Sequence, residues 1–147
     1  MLKKVMLVDD EPFILQGLSV IIDWEAAGYE IVKKADDGAD ALEYIRGNEV
    51  DLLITDIRMP GMNGLDLMEK IRTEKLSDCY IIILSGHNDF KYAQAAIHYS
   101  CTDYLLKPIR QDQLLETLER ISEDTELVKK AELDNHLVKR GYLMQNL

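Results

Sequence analysis

Five short apolar runs, each followed by a segment with helical spacing, constrain the fold of this chain more than any other feature. Runs of this length, rich in Val, Ile and Leu, are typical of strands buried on both faces of a parallel sheet. Regular alternation of strand and helix predicts right-handed crossovers, with helices on both faces of the sheet. We therefore predict an α/β fold, a doubly wound (βα)5 parallel sheet, with strands at Lys4–Val8, Tyr29–Ala35, Asp51–Thr55, Tyr80–Leu84 and Thr102–Leu106.

Capping residues predict where the intervening helices begin. Asp10-Glu11-Pro12 combines an acidic N-cap with a proline in the first turn, and the helix that it opens is predicted to end near Trp24 to Gly28. Later helices are predicted after Asp37-Gly38 to near Gly47-Asn48, after Asn63-Gly64, from about Asp89, and from Gln111.

The last helical pattern continues beyond the fifth helix. Apolar residues recur at 127, 131, 138 and 142, and a second apolar line runs through 133, 137, 144 and 147. We predict one domain at residues 1–124 and a helical linker toward an absent output domain at residues 125–147. A disordered chain end is the alternative. The linker could form a short coiled coil, although its apolar spacing is irregular.

The charge of this 147-residue chain argues against direct binding to nucleic acid. Residues 1–124 hold 13 basic and 24 acidic side chains, a balance of −11, and residues 125–147 hold four and three, a balance of +1. A domain this acidic repels a phosphate backbone. If DNA is involved, a part of the protein outside this chain contacts it.

The cellular location that we expect rests on features that the sequence lacks. Its apolar runs of about five residues are too short to cross a membrane, and the N-terminus has no secretory signal. Cys79 and Cys101 form neither a metal-type cluster nor a disulfide framework, so we interpret them as small core residues in a reducing compartment. We expect a cytoplasmic protein without a membrane partner.

Polar and charged residues stand where the predicted strands end. Asp9 and Asp10 follow the first strand, Asp56 the third, Ser85 the fourth and Lys107 the fifth. The carboxyl edge of an open parallel sheet is where ligands bind, and carboxylates a few ångströms apart repel unless a cation lies between them. We predict a Mg²⁺ (or Mn²⁺) site and, with Lys107 and the Ser85 hydroxyl available for phosphoryl oxygens, a site of phosphoryl transfer. The alternative is that these carboxylates only cap helices.

The motifs around these positions resemble those of the response-regulator receiver (CheY-like) domain over residues 1–124. They are Asp9-Asp10-Glu11-Pro12, Asp56 within the segment 55–64, Ser85-Gly86, and Tyr104-Leu105-Leu106-Lys107-Pro108. The resemblance implies strand order 2-1-3-4-5 and a cis Lys107–Pro108 peptide bond. It also implies that Asp56 accepts a phosphoryl group from a phosphohistidine of a sensor histidine kinase, in a domain that signals and is not otherwise an enzyme.

The same resemblance assigns the metal ligands and a switch. Asp10, Asp56 and the backbone carbonyl of Arg58 would ligate the ion, with Asp9 acting through water. Phosphorylation would draw Ser85 toward the phosphoryl group, and Tyr104 would rotate inward behind it. Arg58 and His87 are candidates for tuning the phosphoryl lifetime, although the simpler interpretation of His87 is a solvated loop residue before the next helix.

A narrower resemblance points to the YesN subgroup of AraC-type two-component response regulators. It is carried by residues 85–93 and by Ile22-Asp23-Trp24, and it implies transcription control through a helix-turn-helix domain beyond the linker. A stand-alone receiver that relays phosphate or binds a protein target is the alternative. A haloacid-dehalogenase-type phosphatase is disfavoured, because Arg58 lies where that chemistry needs a general acid. Self-association is expected through the face of the fourth helix, fifth strand and fifth helix, or through the helical tail.

Overall fold

The computed structural model describes residues 1–86, 90–98 and 101–139. One parallel sheet has the order β2-β1-β3-β4-β5, which confirms the predicted fold and strand order. Its strands are β1 Lys3–Val8, β2 Tyr29–Ala35, β3 Leu52–Asp56, β4 Tyr80–Ser85 and β5 Asp103–Leu106. The helices are α1 Pro12–Val20, α2 Gly38–Gly47, α3 Gly64–Thr73, α4 Phe90–His98 and α5 Gln111–Lys139.

Strand register brings the predicted site residues to one edge. Val8 pairs with Thr55, Asp56 with Leu84, and Ser85 with Leu106, so β1, β3, β4 and β5 all end at the same level. Every residue of β3 is buried, as expected for a central strand in a parallel sheet. A strand that is buried along its whole length therefore carries Asp56.

The first helix ends earlier than the sequence predicted. It stops at Val20, and residues up to Gly28 form turns before β2. The Trp24 indole Nε1 donates to the carbonyl of Leu18 at 2.9 Å. This bond satisfies a carbonyl that the last turn leaves without a helical donor, which explains why apolar spacing alone overestimated the length of the helix.

By residue contacts the chain divides into two units, Met1–Leu115 and Glu116–Leu147. Helix α5 is unbroken from Gln111 to Lys139, so the predicted C-terminal helical extension is present, while its role as a linker remains a prediction. No helix in the described ranges is long and apolar enough to traverse a bilayer. Cys79 is buried, and burial raises the pKa of its thiol, in keeping with a core residue.

Tyr29 makes the stability of the fold depend on pH in the alkaline range. Its ring packs edge-on against Trp24, and its buried hydroxyl has no hydrogen-bond partner among the described residues. Burial, followed by the charge of Asp51, raises the pKa of Tyr29 to about 12.

We expect Tyr29→Phe to remove a loss of stability between pH 10 and 12. Below pH 10 the Tyr29 phenol is neutral in both the folded and the unfolded state. Above pH 10 it ionises first in the unfolded chain, so the free energy of unfolding of the wild type falls by roughly 2–3 kcal/mol, whereas that of the variant does not. At pH 8 the variant should be about 1 kcal/mol more stable, because a buried unsatisfied hydroxyl is gone. Urea unfolding of both proteins at pH 8 and 11 measures this, and a constant difference between them would contradict it.

Candidate phosphoryl-transfer and metal site

Three carboxylates gather at the carboxyl edge of the sheet. Asp9 and Asp10 follow β1, and Asp56 is the last residue of β3. One carboxylate oxygen from each lies within 4.8 Å of the others. Asp9 and Asp56 are buried, and Asp10 is half-buried. The sequence prediction that these side chains meet in space therefore agrees with the geometry.

Asp9 also shapes the start of α1. Its Oδ1 accepts a hydrogen bond of 2.9 Å from the backbone N–H of Glu11. Glu11 is the N-cap of α1 but makes no side-chain cap bond, and Pro12 occupies the first turn. The acidic side-chain cap that the sequence predicted is therefore absent, and the bond from Glu11 to Asp9 forms a local turn before the helix.

Lys107 provides the positive charge at this edge. It follows β5, and its peptide bond with Pro108 is cis, which confirms the expected loop form. Its Nζ lies 3.0 Å from Asp9 Oδ2 and 3.3 Å from Asp56 Oδ2. Burial alone would lower the pKa of Lys107, but the hydrogen bond to Asp9 and the charges of both carboxylates outweigh it, so the pKa is raised. The amine is therefore held in its charged form.

Asp56 is held by backbone as well as by charge. Its Oδ1 accepts a 2.8 Å hydrogen bond from the N–H of Ile57, which also donates to the carbonyl of Leu84 at 3.0 Å. Burial and then the charge of Asp9 raise the pKa of Asp56, while Lys107 opposes the rise. Two buried like charges beside a single ammonium leave an excess of negative charge, which a divalent cation would neutralise.

A close approach at Gly64 fixes the loop after β3. A Cβ at this position would lie 2.3 Å from the backbone carbonyl oxygen of Asp56. The N–H of Gly64 donates to the carbonyl of Ile57 at 2.9 Å, and Asn63 caps α3 in a capping box with Asp66. Only glycine lets the start of α3 come this close to the strand end that carries Asp56.

Ser85 and Tyr104 are joined by their hydroxyls. The Oγ of Ser85, fully buried at the end of β4, lies 2.5 Å from the Oη of Tyr104 on β5. Tyr104 is half-buried and packs against buried apolar side chains of the core. In this structure the tyrosine hydroxyl already contacts Ser85, a pairing that the sequence did not predict.

The remaining predicted residues are placed as follows. Arg58 is exposed in the loop after β3, beside a surface pocket of about 350 Å³ that Ile57, Met59, Pro60 and Asn63 also line. His87 lies outside the described residues. The part played by each in setting the phosphoryl lifetime remains a prediction.

The donor set fits a hard divalent cation. Carboxylate oxygens from three residues, without sulfur or imidazole among them, are ligands that suit Mg²⁺ or Mn²⁺. Partial burial of Asp10 leaves room for water in the coordination shell. The cluster is thus compatible with the predicted ion.

Comparison with known proteins decides the family. The family model described as response regulator receiver domain matches residues 5–119. The chain belongs to the response regulator receiver family. Receivers are signalling domains, and members bind Mg²⁺ in an acidic pocket and interact with sensor histidine kinases.

Relatives of this receiver confirm the YesN-type resemblance. The uncharacterized transcriptional regulatory protein YesN of Bacillus subtilis is 42% identical over 118 residues, 80% of this chain and 32% of YesN. The transcriptional regulatory protein HptR of Staphylococcus aureus is 44% identical over 118 residues, 80% of this chain and 46% of HptR. The chain thus spans less than half the length of these two relatives.

Among solved structures, the receiver domain of AraT, a response regulator from Geobacillus stearothermophilus, superposes with a TM-score of 0.81 at 41% identity. The match covers 88% of this chain and 99% of that one. The structural similarity to AraT and the match to the receiver family therefore both cover most of the chain.

Proposed function

We propose that this receiver accepts a phosphoryl group on Asp56 from a phosphohistidine of a sensor histidine kinase. The observation that supports it best is the arrangement of Asp9, Asp56 and Lys107, with the lysine Nζ 3.0 and 3.3 Å from the two carboxylates. An oxygen of Asp56 attacks phosphorus, the N–P bond of the phosphohistidine breaks, and the imidazole leaves. A new O–P bond then joins the phosphoryl group to Asp56.

Each neighbour of Asp56 has a proposed task. Asp10, Asp56 and the carbonyl of Arg58 would hold the divalent ion, and Asp9 would contribute through water. When bound, this ion neutralises charge on the transferring phosphoryl group. The ammonium of Lys107 moves from its carboxylate partners toward a phosphoryl oxygen, and the hydroxyl of Ser85 donates to another.

The proposed switch starts from the hydroxyl pair of Ser85 and Tyr104. A phosphoryl group on Asp56 adds about −1.5 to −2 charge and strong acceptor oxygens. It therefore competes with Tyr104 for the single proton of Ser85, and the charge-assisted bond is the stronger one. Movement of Ser85 frees space at the Tyr104 ring, which moves further inward and changes the surface of β5.

We infer that the kinase docks on α1 beside the site. Phe13 is 84% exposed and Val20 75% exposed, and they lie on the same side of α1. An apolar groove of about 210 Å³ runs from this helix to the loop after β5, and Lys107 and Pro108 line it. A helix laid in this groove would bring a phosphohistidine close to Asp56.

Truncation of Phe13 tests this docking surface. We expect Phe13→Ala to lower kcat/KM for transfer from a phosphorylated kinase by about 30-fold, since a central aromatic anchor contributes roughly 2 kcal/mol. Labelling by acetyl phosphate, a donor too small to need the groove, should be unchanged.

The matched control is Ile97→Ala, an apolar residue on α4 that is 71% exposed and lies outside the groove. Its kinase reaction should match that of the wild type. Retention of kinase transfer in Phe13→Ala, or an equal loss in both variants, would contradict docking on α1. The assay is the rate at which label moves from a kinase that phosphorylates the wild type.

Transcription control is the output that we infer for the whole protein. YesN and HptR carry the name of transcriptional regulatory proteins, and the receiver spans only 32% and 46% of their lengths. At a net charge of −10 this chain itself is unsuited to DNA. An AraC-type domain beyond α5 would make that contact, in the cytoplasm, and this is favoured over a stand-alone relay.

A further inference from the structure

Thr55 is a buried polar residue that the proposed chemistry does not use. It immediately precedes Asp56 in β3, and its side chain is fully buried. Its neighbours in register, Val8 on β1 and Ile83 on β4, are fully buried apolar residues. Valine has the shape of threonine and would pack here equally well, whereas a buried hydroxyl costs free energy unless it is hydrogen-bonded. The bond that this hydroxyl makes therefore indicates its role.

The hydroxyl of Thr55 is bonded to the backbone of the next residue. Its Oγ1 donates to the carbonyl oxygen of Asp56 at 2.9 Å. That carbonyl belongs to the same planar peptide group as the N–H of Ile57. This N–H in turn donates to Oδ1 of the Asp56 carboxylate at 2.8 Å. One rigid peptide group thus connects the Thr55 hydroxyl to the side chain that is proposed to accept the phosphoryl group.

The neighbours of this peptide group restrict its rotation. The N–H of Ile57 also donates to the carbonyl of Leu84 at 3.0 Å. A Cβ at Gly64 would overlap the carbonyl oxygen of Asp56, so the start of α3 lies directly against that group. Because the peptide is planar, a rotation of its carbonyl also moves its N–H. A carbonyl that accepts a hydrogen bond also polarises the peptide and strengthens its N–H as a donor. The Thr55 hydroxyl therefore acts on both the direction and the strength of the bond to Oδ1.

We propose that Thr55 is a positioning residue for phosphoryl transfer. Its hydroxyl fixes the peptide between Asp56 and Ile57, and this peptide holds Oδ1 of the carboxylate. The second oxygen, Oδ2, is then directed at Lys107, 3.3 Å from its Nζ. A carboxylate that is already oriented reaches the geometry of attack without first losing rotational freedom. The proposal rests on the function proposed above, because Thr55 has this task only if Asp56 accepts the phosphoryl group.

Thr55→Val and Thr55→Ser separate the hydroxyl from the packing of the side chain. Both variants should fold and lose stability to a similar extent, since valine lacks the hydrogen bond and serine lacks a buried methyl group. The readout is the labelling rate at saturating Mg²⁺ and a fixed concentration of acetyl phosphate. We expect this rate to fall about tenfold in Thr55→Val and to stay within about threefold of the wild type in Thr55→Ser.

The amide proton of Ile57 provides a readout that does not depend on phosphoryl transfer. In the metal-free protein, its NMR resonance should move upfield in Thr55→Val, because its hydrogen bond to Asp56 weakens, and stay near the wild-type position in Thr55→Ser. The matched control is Thr102→Val. Thr102 Oγ1 accepts a bond of the same length, 2.9 Å, from the N–H of Ile81 near the start of β4. This control should change neither the labelling rate nor the Ile57 resonance.

Other results would overturn the proposal. Equal losses of rate in Thr55→Val and Thr55→Ser would show that packing, and not the hydroxyl, affects the reaction. A slower Thr55→Val with an unmoved Ile57 resonance would contradict an action through the peptide. A wild-type rate in Thr55→Val would overturn the role of Thr55 alone, whereas a wild type that takes no label would overturn the proposed function and this role with it.

Discussion

Replacement of Asp56 by alanine should abolish phosphoryl acceptance while the domain stays folded. Asp56 ends the fully buried strand β3, and its Oδ2 lies 3.3 Å from Lys107 Nζ, so it combines a fixed position with a neighbouring cation. The variant loses the nucleophile, and no bond to phosphorus can form at this strand end. Intact mass after incubation with Mg²⁺ and acetyl phosphate measures the result.

Stability separates this effect from unfolding. Removing one of three clustered carboxylates relieves repulsion, so the melting temperature of Asp56→Ala without metal should equal or exceed that of the wild type. Asp78→Asn, an exposed carboxylate before β4, is the matched control and should label normally. Labelling of an aspartate in Asp56→Ala would refute the assignment.

Mg²⁺ should stabilise the wild-type domain, and Asp10→Asn should remove most of that stabilisation. The ion relieves repulsion among three carboxylates that lie within 4.8 Å of one another. At ten times its dissociation constant it contributes about 1.4 kcal/mol, a rise of roughly 3–6 °C in Tm. Asparagine keeps the shape of Asp10 but removes its charge, so the variant should be slightly more stable than the wild type without metal.

The same substitution should slow labelling by acetyl phosphate roughly 100-fold, the effect of losing about 2.7 kcal/mol of charge stabilisation. Melting curves with and without millimolar Mg²⁺, beside labelling rates, provide both readouts. Asp78→Asn again serves as the control. A Tm that does not respond to Mg²⁺ in the wild type, or responds equally in Asp10→Asn, would count against the metal site.

The sequence was sufficient to predict the fold and the clustering of charged residues at one edge of the sheet, because both depend on short-range patterns. Apolar runs of strand length fix β1 to β5, and parallel strands end at a common edge, so Asp9, Asp56 and Lys107 had to be neighbours. The dipeptides Asp37-Gly38 and Asn63-Gly64 likewise marked the starts of α2 and α3, because Asp37 and Asn63 are the N-caps of these helices.

Details set by tertiary contacts were beyond the sequence. The early end of α1 depends on the hydrogen bond from Trp24 to the carbonyl of Leu18. The contact between the hydroxyls of Ser85 and Tyr104 depends on the rotamers of these two side chains on neighbouring strands. The requirement for glycine at position 64 arises from a carbonyl eight residues earlier in the chain. Such contacts join residues whose separation no periodic pattern encodes.

Locating the phosphorylated residue tests the central claim most directly. Borohydride reduces an acyl phosphate to an alcohol, so it converts a phosphorylated aspartate to homoserine, which peptide mass spectrometry can place in the sequence. After incubation with Mg²⁺ and acetyl phosphate, we expect homoserine at position 56, and none when the metal is removed by a chelator. Homoserine at another carboxylate, or at none while the protein is folded and Mg²⁺ is present, would contradict phosphoryl transfer to Asp56.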